Sequence, residues 1–485
     1  MSAKKRVGLA RFNSIRLKND YLITNESGEW LFLEDKDYKA FLSGKLNMKS
    51  ALYARLEAKG FVDVSAKKKL DMAVKYLKLN RSLSQGPSLF ILVLTLRCNH
   101  RCLYCQITPE RSDSKGFDMT KATAKKSLDL IFKTPSESIS LEFQGGEPIL
   151  NWPVLKFIVE YAHRLNKQKK KDLKINLVSN LTLLDEAKLR FLLDAGVNIS
   201  CSFDGPANVH NKNRIYIDKG NSHRHVIEKI KFVQKAIAAK KKNSTGKLDD
   251  LNGILTVSRF SLPYPEEIID EYMRRGFDNV FLRPLSPFGL ERQAWKVISY
   301  KAEDFIGYYK RSMDYILKIN LGGKLFIERG TYLILKKILQ GVDPNFLELR
   351  SPCGAGIGQM AFNYDGRVYT CDEGRMAARM GYDNFELGHV GKDKYNDLVD
   401  NEVNKTMCLA SSLDNHAGCQ SCAYKPYCGI CPLANFVAYG TIFPQLSNTD
   451  RCKINKAMFG YIFEKLQNKK YRAIFERWVG LQYEQ

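Results

Sequence analysis

The chain has no run of about 18 uninterrupted apolar residues, which excludes an ordinary membrane-spanning helix. Its first twenty residues, MSAKKRVGLARFNSIRLKND, lack the apolar core of a secretory signal. The expectation from these two absences is a cytoplasmic protein. There is no internal repeat and no long low-complexity segment, so a solenoid is excluded. No aromatic RNP signature is present, which sets RNA recognition of that type aside. Acidic residues are in short supply: 52 Asp and Glu face 76 Lys and Arg, a formal net charge of +24. Lysine runs at KQKKKDLK (167–174) and AAKKKNSTGK (238–247) contribute to it. Such runs usually form solvated helix faces, and they also suit an acidic partner, nucleic acid or an acidic peptide.

What is present is a globular chain. Its 485 residues allow roughly three domains at about 150 residues each. It is 44% hydrophobic and 26% charged, as in ordinary soluble folds. Twelve cysteines in a reducing compartment are not expected to pair as disulfides. Their clustering points to metal or redox chemistry.

Residues 20 to 80 read as a small α+β unit. Two short strands, YLITNES and EWLFLED, flank a polar Asn-Glu-Ser-Gly turn. KDYKAFLSGKL and KSALYARLEAKGFV have helical spacing, the second ending at Gly60, and a basic helix-like stretch follows. The breaker RSLSQGPS (81–88) marks a boundary. From residue 89, apolar runs alternate with amphipathic stretches such as MTKATAKKSLDLIFK (119–133) and VLKFIVEYAHRLN (154–166). The strand-like runs are LFILVLTL (89–96), SISLEFQ (138–144), LKINLVS (173–179), VNISCSF (197–203), GILTVS (253–258) and NVFLRPL (279–285). Six βα repeats with near-continuous apolar strands predict an α/β fold with a parallel sheet, curled into a partial (β/α)6 TIM-like barrel. Ligands gather at the C-terminal strand ends of such folds. After residue 320 the βα rhythm stops, cysteines crowd residues 353–452, and 451–482 reads as one closing helix. The expected domains are therefore 1–85, 86–320 and a cysteine-rich extension at 321–485.

The first strand runs into TLRCNHRCLYCQ (95–106), which places Cys98, Cys102 and Cys105 at the active end. A structural zinc site wants four protein ligands, commonly in paired knuckles, so three thiols on one loop leave it incomplete unless a distant ligand is borrowed. Compact thiolate spacings of this kind hold iron–sulfur clusters. Three thiols on a four-iron cluster leave one iron open to a small molecule. Cys201 lies inside an apolar strand and reads as core.

The spacing C-x3-C-x2-C, with Tyr104 before the last cysteine, resembles the radical S-adenosylmethionine (SAM) superfamily signature. FQGGEPIL (143–150) is similar to that family's GGEP motif, whose backbone helps hold the SAM amino group. Gly145 and Gly146 permit close backbone approach, Glu147 completes the motif, and Pro148 stiffens the turn. Ser179 and Asn180 end the third strand where the family has SAM contacts. CSFDGP (201–206) resembles S-x-D-G, which implies Ser202 and Asp204 near the SAM ribose or methionine part. Arg214 matches a recurrent arginine that faces the SAM carboxylate, a good partner for a guanidinium fork. For each of these polar residues, a strand-end cap or surface contact is the plain alternative.

CQSCAYKPYCGIC (419–431), with GRVYTC ending at Cys371 and the late Cys452, resembles the SPASM extension of radical SAM peptide maturases. That resemblance implies auxiliary four-iron clusters: Cys419, Cys422, Cys428 and Cys452 around an outer one, and Cys353, Cys371 and Cys431 around an inner one. The spacing before Cys431 is x2 where the family has x3, and no cysteine precedes Cys353 in NFLELRSPC. Either Cys408 completes the inner set or that cluster keeps an open iron; a simple count of the thiols favours Cys408. A zinc ribbon over 419–431 is the alternative.

VLTLRCNHRCLYCQ, LEFQGGEPILN, LRPLSPFG and YCGICPLANF together look most like the radical SAM maturases of His-Xaa-Ser peptide systems, from about residue 20 to the C-terminus. The N-terminal unit is weakly similar to PqqD-like domains, which bind a leader peptide at a sheet edge. A positive surface suits an acidic leader. The resemblance implies an electron donor such as flavodoxin or ferredoxin, cleavage of SAM to a 5′-deoxyadenosyl radical, hydrogen abstraction from a ribosomally made peptide, and a crosslink or oxidised side chain, the surplus electron passing to an auxiliary cluster. Membrane and nucleic-acid partners are not implied. Sulfatase-maturase-type oxidation of Ser or Cys is a close alternative. It needs a general base, and the late strand offers Arg283 and no acid. A non-enzymatic electron carrier or nucleic-acid-binding iron–sulfur protein is a more distant one, since a carrier needs no open iron.

Overall fold

A computed structural model describes residues 7–217, 220–243 and 248–480. The end of the second lysine run (244–247) and the last two residues of the expected closing helix lie outside them.

Residues 7–80 build a three-stranded antiparallel sheet, Asn13–Leu17, Asp20–Thr24 and Trp30–Glu34, with three helices. The Asn-Glu-Ser-Gly turn works by its own side chains: Asn25 Oδ1 accepts from Ser27 Oγ at 2.8 Å and from Glu29 N at 3.2 Å, and Gly28 takes φ +76°. The strand Asn13–Leu17 carries little apolar alternation, so its sequence, NSIRL, gives no strand signal. Helices Ala51–Ala58 and Ala66–Leu79 begin at Ser50 and Ser65, whose side chains accept from Tyr53 N and Lys68 N.

The barrel strands run Leu89–Thr95, Ser138–Gly145, Asp172–Ser179, Val197–Ser202, Asn252–Thr256 and Leu282–Arg283, each parallel to its neighbour. They form the α/β partial barrel the sequence predicts. Their faces differ from the expected near-continuous apolar runs. Leu141, Phe143, Leu177 and Ile199 pack with Leu128, Leu155 and Ile158 of the covering helices. The opposite face is polar: Asn176 Nδ2 donates to Ser140 Oγ at 3.0 Å, and Asn198 donates to Asn176 at 3.4 Å.

The parallel order does not end at residue 320. Gln359–Phe362 adds beside the first barrel strand, in parallel, and Arg367–Tyr369 and Glu386–His389 extend the sheet antiparallel, giving nine strands. Four residues between glycine-rich turns are too short to show a period. The expected single closing helix is two, Asp450–Leu466 and Lys469–Gly480. Among the described residues no helix is long and apolar enough to cross a membrane.

Candidate functional site

The three-cysteine loop leaves the first barrel strand and is pinned on both sides. Arg97–Cys98 pairs with Glu110–Arg111, and His100–Cys102 pairs antiparallel with Arg214–Tyr216, which sets Arg214 opposite Cys102. Leu103 N donates to Asn213 O at 2.9 Å, and Leu290 N donates to Cys105 O at 2.9 Å. Burial pushes all three thiols up, Cys102 to about 12, and each also feels at least one of the others or their charged neighbours. A metal needs thiolates, so loading this loop would release protons. Among the described residues no three ligating side chains converge at the spacing of a single metal ion. All twelve cysteines are unpaired.

The GGEP turn lies against the backbone that precedes Cys98. Gly146 N donates to Thr95 O and Glu147 N to Arg97 O, both at 2.8 Å. A Cβ on Gly145 would meet Thr95 O at 2.2 Å, and one on Gly146 would meet Arg97 O at 2.1 Å. Only glycine permits that approach. Pro148 is buried and opens a short helical turn. Glu147 ties two strand ends together: its carboxylate accepts from Ser179 Oγ at 2.8 Å, Asn180 N at 2.9 Å and Ile149 N at 3.2 Å. Burial pushes Glu147 up to about 7 despite those donors.

Asn180 reaches the cysteine loop itself. Its Nδ2 donates to Asn99 Oδ1 at 2.8 Å and stands 3.2 Å from His100 Nδ1. The far nitrogens of His100 and His210 both meet Ser222 Oγ, at 3.0 and 3.1 Å. On the other side, the Tyr104 hydroxyl donates to Asp204 Oδ2 at 2.5 Å. Arg214 Nε sits 3.2 Å from the same oxygen, and its Nη1 lies 3.8 Å from Cys102 Sγ. Its guanidinium carbon lies 5.2 Å from the Tyr104 ring centre. Arg214 and Asp204 thus face each other and the thiols, with both side chains buried. Ser202 is half-buried at the end of the fourth strand, opposite Ile254. Cys201 is fully buried in the core.

The C-terminal cysteines sort into two groups and one outlier. Cys419, Cys422, Cys428 and Cys452 stand within one another's electrostatic reach, and burial raises Cys419 to about 12 and Cys428 to about 11. The N-terminal sheet docks on this loop: Asn13 Nδ2 donates to Cys422 O at 3.1 Å, and Thr24 Oγ1 to Ala423 O at 2.7 Å. Cys353, Cys371 and Cys431 form the second group, packed in one apolar cluster with Phe288, Phe385 and Leu433. Cys371 and Cys431 sit at the N-termini of helices Asp372–Arg379 and Pro432–Tyr439, which favour thiolates. Cys408 is the remaining cysteine of this region. It lies on helix Glu402–Ser411, and burial alone raises its thiol, with no other cysteine acting on it.

Acids absent from the late strand stand on neighbouring elements. Asp372 follows Cys371, and its Oδ1 is 2.5 Å from Arg375 Nη2. Arg375 is buried, and its charge also reaches Cys105. Glu142 on the second strand is raised by burial and by Asp372, with Arg283 opposing. Glu348 is ion-paired to Arg451 and lies 3.8 Å from Arg283. Sequence reasoning passed over Asp372, Glu373 and Arg375. The signal was there: CDEGR puts three charges directly after a candidate ligand, in a stretch that is otherwise buried.

The radical SAM superfamily model matches residues 92–247. The cysteine-type anaerobic sulfatase-maturating enzyme of Clostridium novyi (strain NT) is 22% identical over 348 residues, 70% of this chain and 86% of that protein. The solved structure of native anSMEcpe with bound AdoMet superposes with TM-score 0.65 at 20% identity, over 80% of this chain and 99% of that one. Streptococcus suis SuiB bound to precursor peptide SuiA superposes with TM-score 0.53 at 14% identity, over 90% and 98%. These likenesses carry the fold.

Proposed function

We propose, from the premise that residues 92–247 are a radical SAM domain and the chain is an enzyme, that it modifies a ribosomally made peptide or protein by radical hydrogen abstraction. The observation that carries this is the loop of three thiols without a fourth, Cys98 buried and Cys102 and Cys105 half-buried, backed by the glycine turn and closed by Arg214. When bound, a four-iron cluster and SAM supply a 5′-deoxyadenosyl radical.

Cys98, Cys102 and Cys105 would hold that cluster, and Arg214 offsets their negative charge. Tyr104 holds Asp204, and Asp204 positions Arg214, the residue the family resemblance sets toward the SAM carboxylate. Gly145 and Gly146 set the turn against the loop backbone, and Glu147, Pro148, Ser179 and Asn180 keep it there. Ser202 is available at the strand end for the SAM ribose side. The outer four thiols and the inner trio would hold auxiliary clusters. Such clusters would supply an acceptor for the electron that remains when a side chain is crosslinked or oxidised, and a donor such as flavodoxin or ferredoxin would supply the first electron.

A peptide substrate is supported from a second side. Helix Ala66–Leu79 leaves Leu70, Val74 and Leu77 exposed at helical spacing, flanked by lysines. That surface suits an acidic leader with apolar anchors. Within this class the sequence strings favour the maturases of His-Xaa-Ser peptide systems. Sulfatase-maturase-type oxidation is the second reading, favoured by Asp372 as a buried proton acceptor. Mass spectrometry of a candidate peptide after anaerobic turnover separates them. Loss of two hydrogens without a carbonyl that reacts with a hydrazine, mapped by fragmentation to two linked residues, supports the first reading. Conversion of Ser or Cys to an aldehyde supports the second, and an unmodified peptide with uncleaved SAM contradicts both.

A further inference from the structure

We infer that Ser222 is a positioning residue for the three-cysteine loop: its hydroxyl fixes the ring of His100, and through it the backbone N–H that rests on Cys98 Sγ. The inference rests on the reading of Cys98, Cys102 and Cys105 as cluster ligands. Ser222 opens helix Ser222–Asn243, and its Oγ stands 3.0 Å from His100 Nε2 and 3.1 Å from His210 Nε2. All three residues are buried.

The geometry places the hydrogens along this contact one by one. Asp204 N donates to His210 Nδ1 at 3.3 Å, so that nitrogen carries no hydrogen. The ring hydrogen of His210 is therefore on Nε2 and points to Ser222 Oγ. A hydroxyl has a single hydrogen, and Ser222 turns it to its other partner, His100 Nε2. The hydrogen of His100 is then on Nδ1, 3.2 Å from Asn99 Oδ1. In the reverse arrangement Asn180 Nδ2 would donate to His100 Nδ1 across 3.2 Å. That puts two donors on Ser222 Oγ and leaves its own hydrogen with no partner among the described residues, which is costly in a buried site.

The chain therefore runs one way, from the backbone after the fourth barrel strand into the cysteine loop, with the two imidazoles neutral and in opposite tautomers. It ends on Asn99 Oδ1, which Asn180 Nδ2 also meets at 2.8 Å. Held by that chain, His100 donates its backbone N–H to Cys98 Sγ at 3.3 Å. Hydrogen bonds to the sulfurs of an iron–sulfur cluster help set its potential. Removing the Ser222 hydroxyl strips two ring nitrogens of their shared partner and frees His100, and its N–H, to turn away from the sulfur.

The test has two readouts on the full chain. Histidine-selective nitrogen-15 spectra of the iron-free protein read the tautomers, and His100→Gln and His210→Gln assign the two rings among the seven histidines. The hydrogen should lie on Nδ1 of His100 and on Nε2 of His210, stay there in Ser222→Thr, and leave Nδ1 of His100 in Ser222→Ala. The chain reconstituted with iron and sulfide gives the second readout. It is a redox titration of the electron paramagnetic resonance signal that disappears when Cys98, Cys102 and Cys105 are replaced by Ala. The midpoint should move to a more negative value in Ser222→Ala, because a weakened N–H···S bond favours the reduced cluster less, and return to the parent value in Ser222→Thr. Circular dichroism reports folding, and if Ser222→Ala does not fold, the tautomers of the parent and of Ser222→Thr decide. A hydrogen on Nε2 of both rings in the parent, or an unchanged midpoint in folded Ser222→Ala, overturns the inference and leaves the cluster. No signal lost in the triple replacement, with the tautomers as assigned, removes the cluster reading and the role at Cys98 with it.

Discussion

Arg214 and Asp204 form a buried ion pair directly beneath the three-cysteine loop, Nε to Oδ2 at 3.2 Å, with Cys102 Sγ 3.8 Å from the same guanidinium. The two residues are ten apart, and the pairing of Arg214–Tyr216 with His100–Cys102 is what brings the arginine to the sulfur. Asp204 is fully buried, and Arg214 is its cation. Arg214→Met therefore leaves a buried carboxylate uncompensated and should cost about 3 kcal/mol or more. Tyr104→Phe, which removes one hydrogen bond to that carboxylate, should cost about 1–2 kcal/mol. Anaerobic urea unfolding of the iron-free protein checks both, and equal losses would contradict the ranking.

The glycine turn gives a steric prediction. Gly146→Ala places a methyl group 2.1 Å from Arg97 O, so the backbone before Cys98 must move. Iron bound at the first site should fall several-fold, read as iron per chain in a variant lacking the C-terminal cysteine ligands. Gly307→Ala is the control: it lies in helix Ala302–Leu321 with open space around its Cβ position. It should gain about 0.5–1 kcal/mol and keep its iron.

The fold was legible where elements are long. The first five barrel strands, the GGEP turn and the three-cysteine loop carry period, length or spacing that a sequence displays; the sixth run, 279–285, splits, Asn279–Val280 pairing with Ile327–Glu328 and only Leu282–Arg283 joining the barrel sheet. Gln359–Phe362 does not: four residues gain strand character only by pairing with Leu89–Thr95, a partner 270 positions away. The polar inner face was hidden because Glu142, Gln144 and Asn176 sit singly between apolar neighbours. Asp372 escaped notice because an acid was sought on a barrel strand, whereas it opens the helix that follows the added strand Arg367–Tyr369.

The buried histidines set the acid limit of stability. His210 is held well below the ordinary imidazole value, first by burial and then by Arg214, and His100 is pushed down to about 3 by the same causes. The unfolded chain takes up protons on both near pH 6.5, while the folded chain stays neutral there. Stability is therefore full above that value and falls as pH drops toward the folded values, by about 1.4 kcal/mol per histidine per pH unit at most. His210→Gln should lose less between pH 6.5 and 5 than the parent. Equal slopes in urea unfolding would contradict the assignment.

The exposed stripe on the N-terminal unit predicts a binding phenotype without a stability one. Leu70 and Leu77 are 66% and 67% exposed. Leu70→Glu with Leu77→Glu should weaken binding of an acidic leader peptide at least tenfold in fluorescence anisotropy, with unfolding unchanged within about 0.5 kcal/mol. Added salt should weaken the parent complex as well, because lysines flank the stripe.

The most direct measurement is release of 5′-deoxyadenosine by the anaerobically purified, iron- and sulfide-reconstituted chain, given SAM, a strong reductant and a candidate peptide. The account predicts release by the parent and none when Cys98, Cys102 and Cys105 are replaced by Ala. Release that survives the triple replacement, or no release from folded, iron-loaded parent with peptide present, would contradict it.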